Sequence, residues 1–350
     1  MHHVPVAVCL LLLTPVTCWC SAASSNQSIM DINSMCRRSR RGKIHNICNN
    51  KPVLRRQIEL GIAAGQAECQ HQFRHRRWNC TSSRKGFKKV MLRDTRETGF
   101  VNAILAAGIA YQVTRACTSG ELLGCACNKK MRYNKVKKKT KAETLLEGEF
   151  QWEGCRGENI EYGIKKSKDF LDFQLKQRPR GDMKTQVKLH NYIAGRLAIK
   201  NNMRKECKCH GLSGSCTLKT CLKKMPPFRE VGNKLKERFD GAVKVIAGND
   251  GKSFMPEGST IKLPGKLDLV YSEKTPDYCD NNSTIGSFGT RGRECNATSI
   301  AEEGCGILCC NRGFQSEVVI REVTCNCTFV WCCEVKCAKC HVPKSISTCL

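Results

Sequence analysis

The stretch Cys207-Lys208-Cys209-His210-Gly211-Leu212-Ser213-Gly214-Ser215-Cys216-Thr217-Leu218-Lys219-Thr220-Cys221 sets the organisation of the chain. Between its inner cysteines lie glycines that can take positive φ, together with Ser213 and Ser215, so the segment reads as a tight cross-linked loop with hydroxyls at its tip. Such a loop buries almost nothing of its own. A disulfide closing about 15 residues contributes on the order of 3 kcal/mol, which can hold this shape without a core.

Outward from the loop, cysteine is the outlier. The chain has 350 residues and 27 cysteines, far too many for a reducing compartment unless most bind metal. The apolar run Val4–Val16, interrupted by Pro5 and Pro15 and followed by Ser21-Ala22-Ala23, reads as a signal peptide over residues 1–23 and not as a membrane helix. No other stretch reads as long and apolar enough to span a bilayer. Removing the leader takes Cys9, Cys18 and Cys20 with it and leaves 24 cysteines of the 27, an even number that suits a disulfide framework in a secreted protein. Sequons at Asn26, Asn79, Asn281, Asn282, Asn296 and Asn326 agree with passage through the secretory pathway.

The net charge of +28 points to polyanionic partners. Outside the cell these are sulfated glycans or an acidic membrane surface, not nucleic acid; the plainer alternative is that charge keeps the protein soluble. Lys129–Lys141 concentrates eight basic residues in a stretch that reads as a solvated loop, either a heparan sulfate contact or simply exposed. Arg38-Ser39-Arg40-Arg41 resembles a dibasic processing site lying between Cys36 and Cys48.

Apolar spacing predicts an amphipathic helix over Val53–Glu68 and a second, apolar on most sides, from Arg96 through Val113. A looser helix covers Ile160–Lys176, and another runs over Asp182–Asn201 with Asp182 as N-cap. Residues 24–247 therefore read as a helical N-terminal domain that carries the stapled loop. Gly248 to Tyr278 reads as a linker, rich in glycine and proline towards Pro276. Residues 279–350 hold twelve cysteines and only short strand-like runs, Glu317–Val323 and Thr328–Trp331, and read as a small disulfide-built β domain. The fold class is α+β.

Two chemistries fit the loop poorly. Cys207-Lys208-Cys209-His210 and Cys337-x-x-Cys340-His341 look like zinc ligands, but neither has the second knuckle of a structural site. Gly211-Leu212-Ser213-Gly214-Ser215 misses the nucleophile elbow of serine hydrolases by one residue and lacks the strand and helix that elbow needs. No catalytic residue is assigned, and no metal. From spacing alone Ser213 is an ordinary turn serine or a modification site.

The same segment resembles the signature of the Wnt family of secreted, lipid-modified signals. So do RRWNC (Arg76–Cys80), Arg96-Glu97-Thr98 at a helix start, ECNATS (Glu294–Ser299) and the terminal cysteine array through Cys349-Leu350. CHGLSGSC, with PPFREVG (Pro226–Gly232) and GTRGREC (Gly289–Cys295), resembles the subfamily numbered six. The match spans essentially the mature chain; Lys129–Gln151 departs most from the pattern.

The resemblance implies that Ser213 is the serine esterified with palmitoleate by the acyltransferase Porcupine. Cys207–Cys221 is then the thumb that delivers the lipid to the cysteine-rich domain of Frizzled, with Wntless as carrier during export and no other cofactor. It implies an index finger whose tip is Phe329, Val330, Trp331, Cys332 and Cys333, where the rival reading makes Phe329 and Trp331 the domain's small core. LDL-receptor-related co-receptors and heparan sulfate proteoglycans complete the expected partners, and the extracellular space and matrix the location. A non-acylated antagonist or matrix protein on the same scaffold is the alternative.

The implied disulfides are Cys69–Cys80, Cys117–Cys125, Cys127–Cys155, Cys207–Cys221 and Cys209–Cys216 in the first part. In the tail they are Cys279–Cys310, Cys295–Cys305, Cys309–Cys349, Cys325–Cys340, Cys327–Cys337 and Cys332–Cys333, which leaves Cys36 and Cys48 to each other. Asn79 and Asn296 match the family's usual glycan positions.

Overall fold

Helical periodicity in the first two-thirds of the chain resolves, in the computed structural model, into helices packed around one buried segment. The structure describes residues 30, 32–39, 41–81, 89–125, 149–150, 157–176, 182–217, 219–248, 253–258 and 261–350. The expected signal peptide, Asn26, the basic run Lys129–Lys141 and the Cys127–Cys155 pair lie outside the described residues.

The helices are α1 (Ile32–Arg38), α2 (Gly42–Asn50), α3 (Pro52–Phe73), α4 (Arg96–Thr118), α5 (Ile160–Lys176), α6 (Met183–Lys200) and α7 (Phe228–Asp240). Helix α4 begins at Thr95, whose hydroxyl accepts the Thr98 N–H, and Glu97 sits in its first turn, where an acid suits the helix dipole. Phe100, Ile104, Leu105 and Ile109 are completely buried, each such side chain contributing about 1.5–3 kcal/mol. By length and apolarity α4 does qualify to cross a membrane, against the sequence expectation, but its surface is covered by the other helices. Those neighbours come close because glycines face them: a Cβ on Gly108 would collide with the Gly61 carbonyl of α3, and one on Gly195 of α6 with the Ala103 carbonyl.

Helix α7 was not anticipated. It places Val231, Leu235 and Phe239 in the core, where the Phe239 ring stands edge-on to Phe73 at 4.8 Å. The thumb precedes it: β1 (Glu149–Phe150) lies parallel to β3 (Lys219–Lys224), which pairs antiparallel with β2 (Arg204–Cys209).

The stretch read as a linker holds β5 (Phe254–Pro256) and β6 (Val270–Tyr271), which flank β4 (Val243–Ala247), the last strand before it, in the sheet order β5-β4-β6. Its second half is bound to the helices. Leu269 and Tyr278 are buried in the helical core. The Asn191 amide donates to the Val270 carbonyl at 2.9 Å and accepts the Val270 N–H at 3.0 Å, and the N–H groups of Ser272 and Glu273 donate to the Asp94 carbonyl.

The tail contains β7 (Asn281–Asn282), β8 (Ser287–Phe288), β9 (Glu294–Cys295), α8 (Cys305–Leu308), β10 (Phe314–Val330) and β11 (Glu334–Cys349). Its own buried cluster is only Cys305, Leu308, Cys309 and Cys349, so cross-links carry much of the stability. Among the described residues the bonded pairs are Cys36–Cys48, Cys69–Cys80, Cys117–Cys125, Cys207–Cys221 and Cys209–Cys216, then Cys279–Cys310, Cys295–Cys305, Cys309–Cys349, Cys325–Cys340 and Cys327–Cys337.

The expected Cys332–Cys333 bond is not formed. Both are exposed thiols with sulfurs 3.8 Å apart. Adjacent cysteines have a single peptide unit to span, their Cα atoms about 3.8 Å apart, which closes a ring only with distortion.

Candidate functional site

In the thumb, β2 and β3 run as an antiparallel ribbon with Cys207 directly opposite Cys221 and Cys209 opposite Lys219. The Cys207–Cys221 bond ties the strands where they face each other, and Cys209–Cys216 closes the loop above them. At the apex Ser215 N–H donates to the Leu212 carbonyl at 3.1 Å, and both residues between them have positive φ, 55° at Ser213 and 76° at Gly214. Two successive left-handed residues match the twist of a right-handed ribbon, so the turn closes without splaying the strands. Gly214 takes this conformation freely; Ser213 is held in it by the surrounding staple.

Nothing at the apex is buried. Leu212 is 94% exposed, so the tip offers a solvent-facing hydroxyl beside an uncovered leucine. The thiols that a zinc reading would need, Cys207 and Cys209, are spent in disulfides.

The finger is the β10–β11 hairpin, and Trp331, Cys332 and Cys333 form its connection. Trp331 is 91% and Phe329 67% exposed, so neither serves as a core residue. Val335 stands opposite Phe329 and adds to the apolar tip, a contribution the sequence reading missed although valine in a strand is its ordinary sign. Below the tip the ladder shifts between Cys325 and Thr328, with Asn326 at φ 47°; the Cys327–Cys337 bond lies within this bulge and Cys325–Cys340 at its lower edge.

Among the sequons, the side-chain oxygens of Asn79, Asn282 and Asn296 each accept the N–H and hydroxyl of the threonine two residues on. Asn281, Asn282, Asn296 and Asn326 are exposed and Asn79 is half-buried.

Between the helical part and the tail the RRWNC segment forms a seam. The Arg293 guanidinium donates to the carbonyls of Arg77 (2.7 Å), Arg76 (2.7 Å) and Arg74 (3.2 Å), and burial lowers its pKa. Arg77 donates to the Ile307 carbonyl at 3.0 Å, and Arg76 bridges Asp240 of α7 and Glu302 of the tail. The sequence showed the motif but not that it joins the two parts.

The fold and its two stapled, exposed digits define a cysteine-rich α+β protein held together by disulfides. The profile of the Wnt family matches residues 37–350, and the chain belongs to that family of secreted signalling ligands, which are not enzymes. It is 45% identical to Protein Wnt-6 of Mus musculus over 338 residues, covering 92% of this chain and 91% of that protein. It is 46% identical to Protein Wnt-6 of Homo sapiens over 334 residues, with the same shares. A chain of the solved structure of human WLS in complex with WNT8A superposes with a TM-score of 0.63 at 34% identity, over 86% of this chain and 96% of that one.

Proposed function

We propose that this chain is a Wnt morphogen acylated with palmitoleate at Ser213, which binds the Frizzled cysteine-rich domain through the thumb and the finger tip and engages LDL-receptor-related co-receptors. The observation that carries this reading is the apex geometry: a serine hydroxyl fixed on a doubly stapled, wholly exposed turn. Each methylene of an acyl chain contributes about 0.8 kcal/mol on burial, an apolar anchor that the small polar tip lacks. The exposed Phe329, Val330 and Trp331 supply the second contact, of the aromatic type that dominates interfaces. Porcupine is the acylating enzyme in this reading. Wntless is the carrier, a role favoured by the likeness to the WNT8A chain. Asn79 and Asn296 carry glycans, with Asn26, Asn281, Asn282 and Asn326 as further acceptors.

Mass spectrometry of the Cys209–Cys216 peptide from active secreted protein tests the acylation. A palmitoleoyl increment on Ser213 is expected; an unmodified serine in active protein overturns the reading and favours an antagonist or matrix protein. The net charge of +28 supports retention by heparan sulfate in the matrix. Heparin should hold the protein at physiological ionic strength and release it as salt is raised.

A further inference from the structure

The base of the finger poses a question separate from its tip. In the sheet order β10-β11-β9, strand β10 is an edge, so among the described residues the outer side of Phe314–Val323 has no strand beside it. Val318 and Ile320 on this edge are 71% and 69% exposed. Native proteins blunt such an edge with a bulge, a proline or charges. Here the bulge lies beyond Cys325 and Pro343 is on the other strand.

Of the three charges that remain, Glu322 is paired with Lys339 of the neighbouring strand at 2.7 Å, and the other two are arranged symmetrically. Glu317 and Arg321, opposite in sign, stand two residues on either side of Val319. When two copies of this edge run antiparallel about a two-fold axis through Val319, each Glu317 faces the partner's Arg321. Each Val318 then faces the partner's Ile320, and Val319 faces its own counterpart. Period-two alternation puts the ion pairs and Val319 on one face and the valine–isoleucine pairs on the other. A slip of one residue sets Glu317 against the partner's Glu322 in one direction and against the partner's Ile320 in the other. Only the first register is complementary in charge. Among the described residues Glu317 forms no ion pair, and Arg321 has only an exposed one with Glu294 at 3.3 Å.

We propose that the β10 edge binds a second copy of this chain, forming an isologous antiparallel β10–β10 ladder centred on Val319. The ladder covers Val318 and Ile320 and leaves the finger tip free, so a dimer presents two tips at once. The contact is short, so the association is weak and dependent on concentration.

Sedimentation velocity on the full chain tests this in a Ser213→Ala background, where a lipid cannot drive association; the acylation reading can therefore fail without affecting the outcome. The expected result is a monomer–dimer equilibrium. Glu317→Arg and Arg321→Glu each place like charges opposite one another twice per dimer and should weaken it by about tenfold or more. The double variant should recover it, and an equal mixture of the two single variants should pair as the parent does. These side chains are exposed, so secretion is the folding control. A monomer at every concentration overturns the proposal, as does a dimer indifferent to the single swaps, which would place the contact on another surface. Binding of a heparin fragment or a co-receptor ectodomain to this edge, with no dimer, overturns it equally.

Discussion

Arg196 and Asp172 form a bidentate ion pair in the interior of the helical domain, Nη1 to Oδ2 at 3.1 Å and Nη2 to Oδ1, with both side chains almost wholly buried. The Arg196 Nε donates to Ser167 Oγ at 3.0 Å, and Ser167 in turn donates to the Ala106 carbonyl. One guanidinium thus joins α6, α5 and α4. Arg196→Ala leaves a buried carboxylate unpaired and should cost about 3–5 kcal/mol, enough to abolish secretion. Arg196→Met combined with Asp172→Leu should recover much of it. Secreted yield and the thermal midpoint of the two variants distinguish loss of the partner from loss of the pair.

The helix crossing at Gly108 and Gly61 offers no room for a methyl group. Gly108→Ala should destabilise by about 1–3 kcal/mol or more, because the obstacle is backbone carbonyl and not a movable side chain. Gly306→Ala in α8, where a Cβ meets nothing within 4 Å, should stay within about 0.5 kcal/mol of the parent. Chemical denaturation midpoints compare the two, and equal effects would contradict the packing described.

At the thumb apex, backbone and chemistry make separate demands on Ser213. Threonine keeps the hydroxyl, but a β-branched residue resists φ near +55°. Ser213→Thr should therefore lower acyl stoichiometry about fivefold or more, in keeping with a cost near 1 kcal/mol, while the Cys207–Cys221 and Cys209–Cys216 bonds still form. Intact mass of the secreted protein reads both quantities. Full acylation of the threonine variant would show that the turn conformation does not matter.

Asp94 gives the protein a pH dependence of its own. Burial pushes its carboxyl up to about 6, Lys184 opposes the rise and Glu273 adds to it. Folding therefore favours the protonated acid. The resulting stabilisation is complete below the ordinary carboxylate range and is lost as the pH rises through about 6. Asp94→Asn stays neutral, so its thermal midpoint should fall less than the parent's between about pH 4 and pH 7. Parallel curves would show that Asp94 does not titrate in this interval.

The finger tip is testable without disturbing the fold. Trp331 is 91% exposed, so Trp331→Ala should leave secretion intact while weakening binding to the Frizzled cysteine-rich domain by about 2 kcal/mol, the loss typical of an interface anchor. Surface plasmon resonance with the isolated receptor domain measures it. Unchanged affinity would remove Trp331 from the interface.

Much of this architecture is written in local patterns. The bounds of α5 and α6 follow from apolar spacing and from Asp182 before the first turn, and the stapled thumb follows from its cysteines and glycines. Helix α7 was equally legible in Phe228, Val231, Leu235 and Phe239, but its strongly polar composition and the proline-rich flank hid the stripe. Other features depend on distant partners. Nothing local marks Arg196 as buried or Arg293 as the seam, because a lone arginine reads as surface until its acceptors, Asp172 in one case and three carbonyls in the other, are in place. The left-handed Ser213 was hidden for the same reason: glycines announce such a conformation, and serine takes it only when the ring around it is closed. The Cys332–Cys333 expectation came from family pairing, and the hairpin turn there separates the sulfurs.

Leu269 and Tyr278 complete the helical core from beyond the thumb in sequence. A chain threaded into the secretory lumen from its N-terminus therefore delivers its segments in a set order. The thumb, with cross-links that enclose sequence separations of only 14 and 7 residues, can close as soon as Cys221 emerges. The helices behind it must wait for residues synthesised well after that point before their interior is sealed. During this interval the serine-bearing turn can already be shaped while the body that carries it is unfinished, so the acylation proposed for Ser213 would not have to wait for the completed fold.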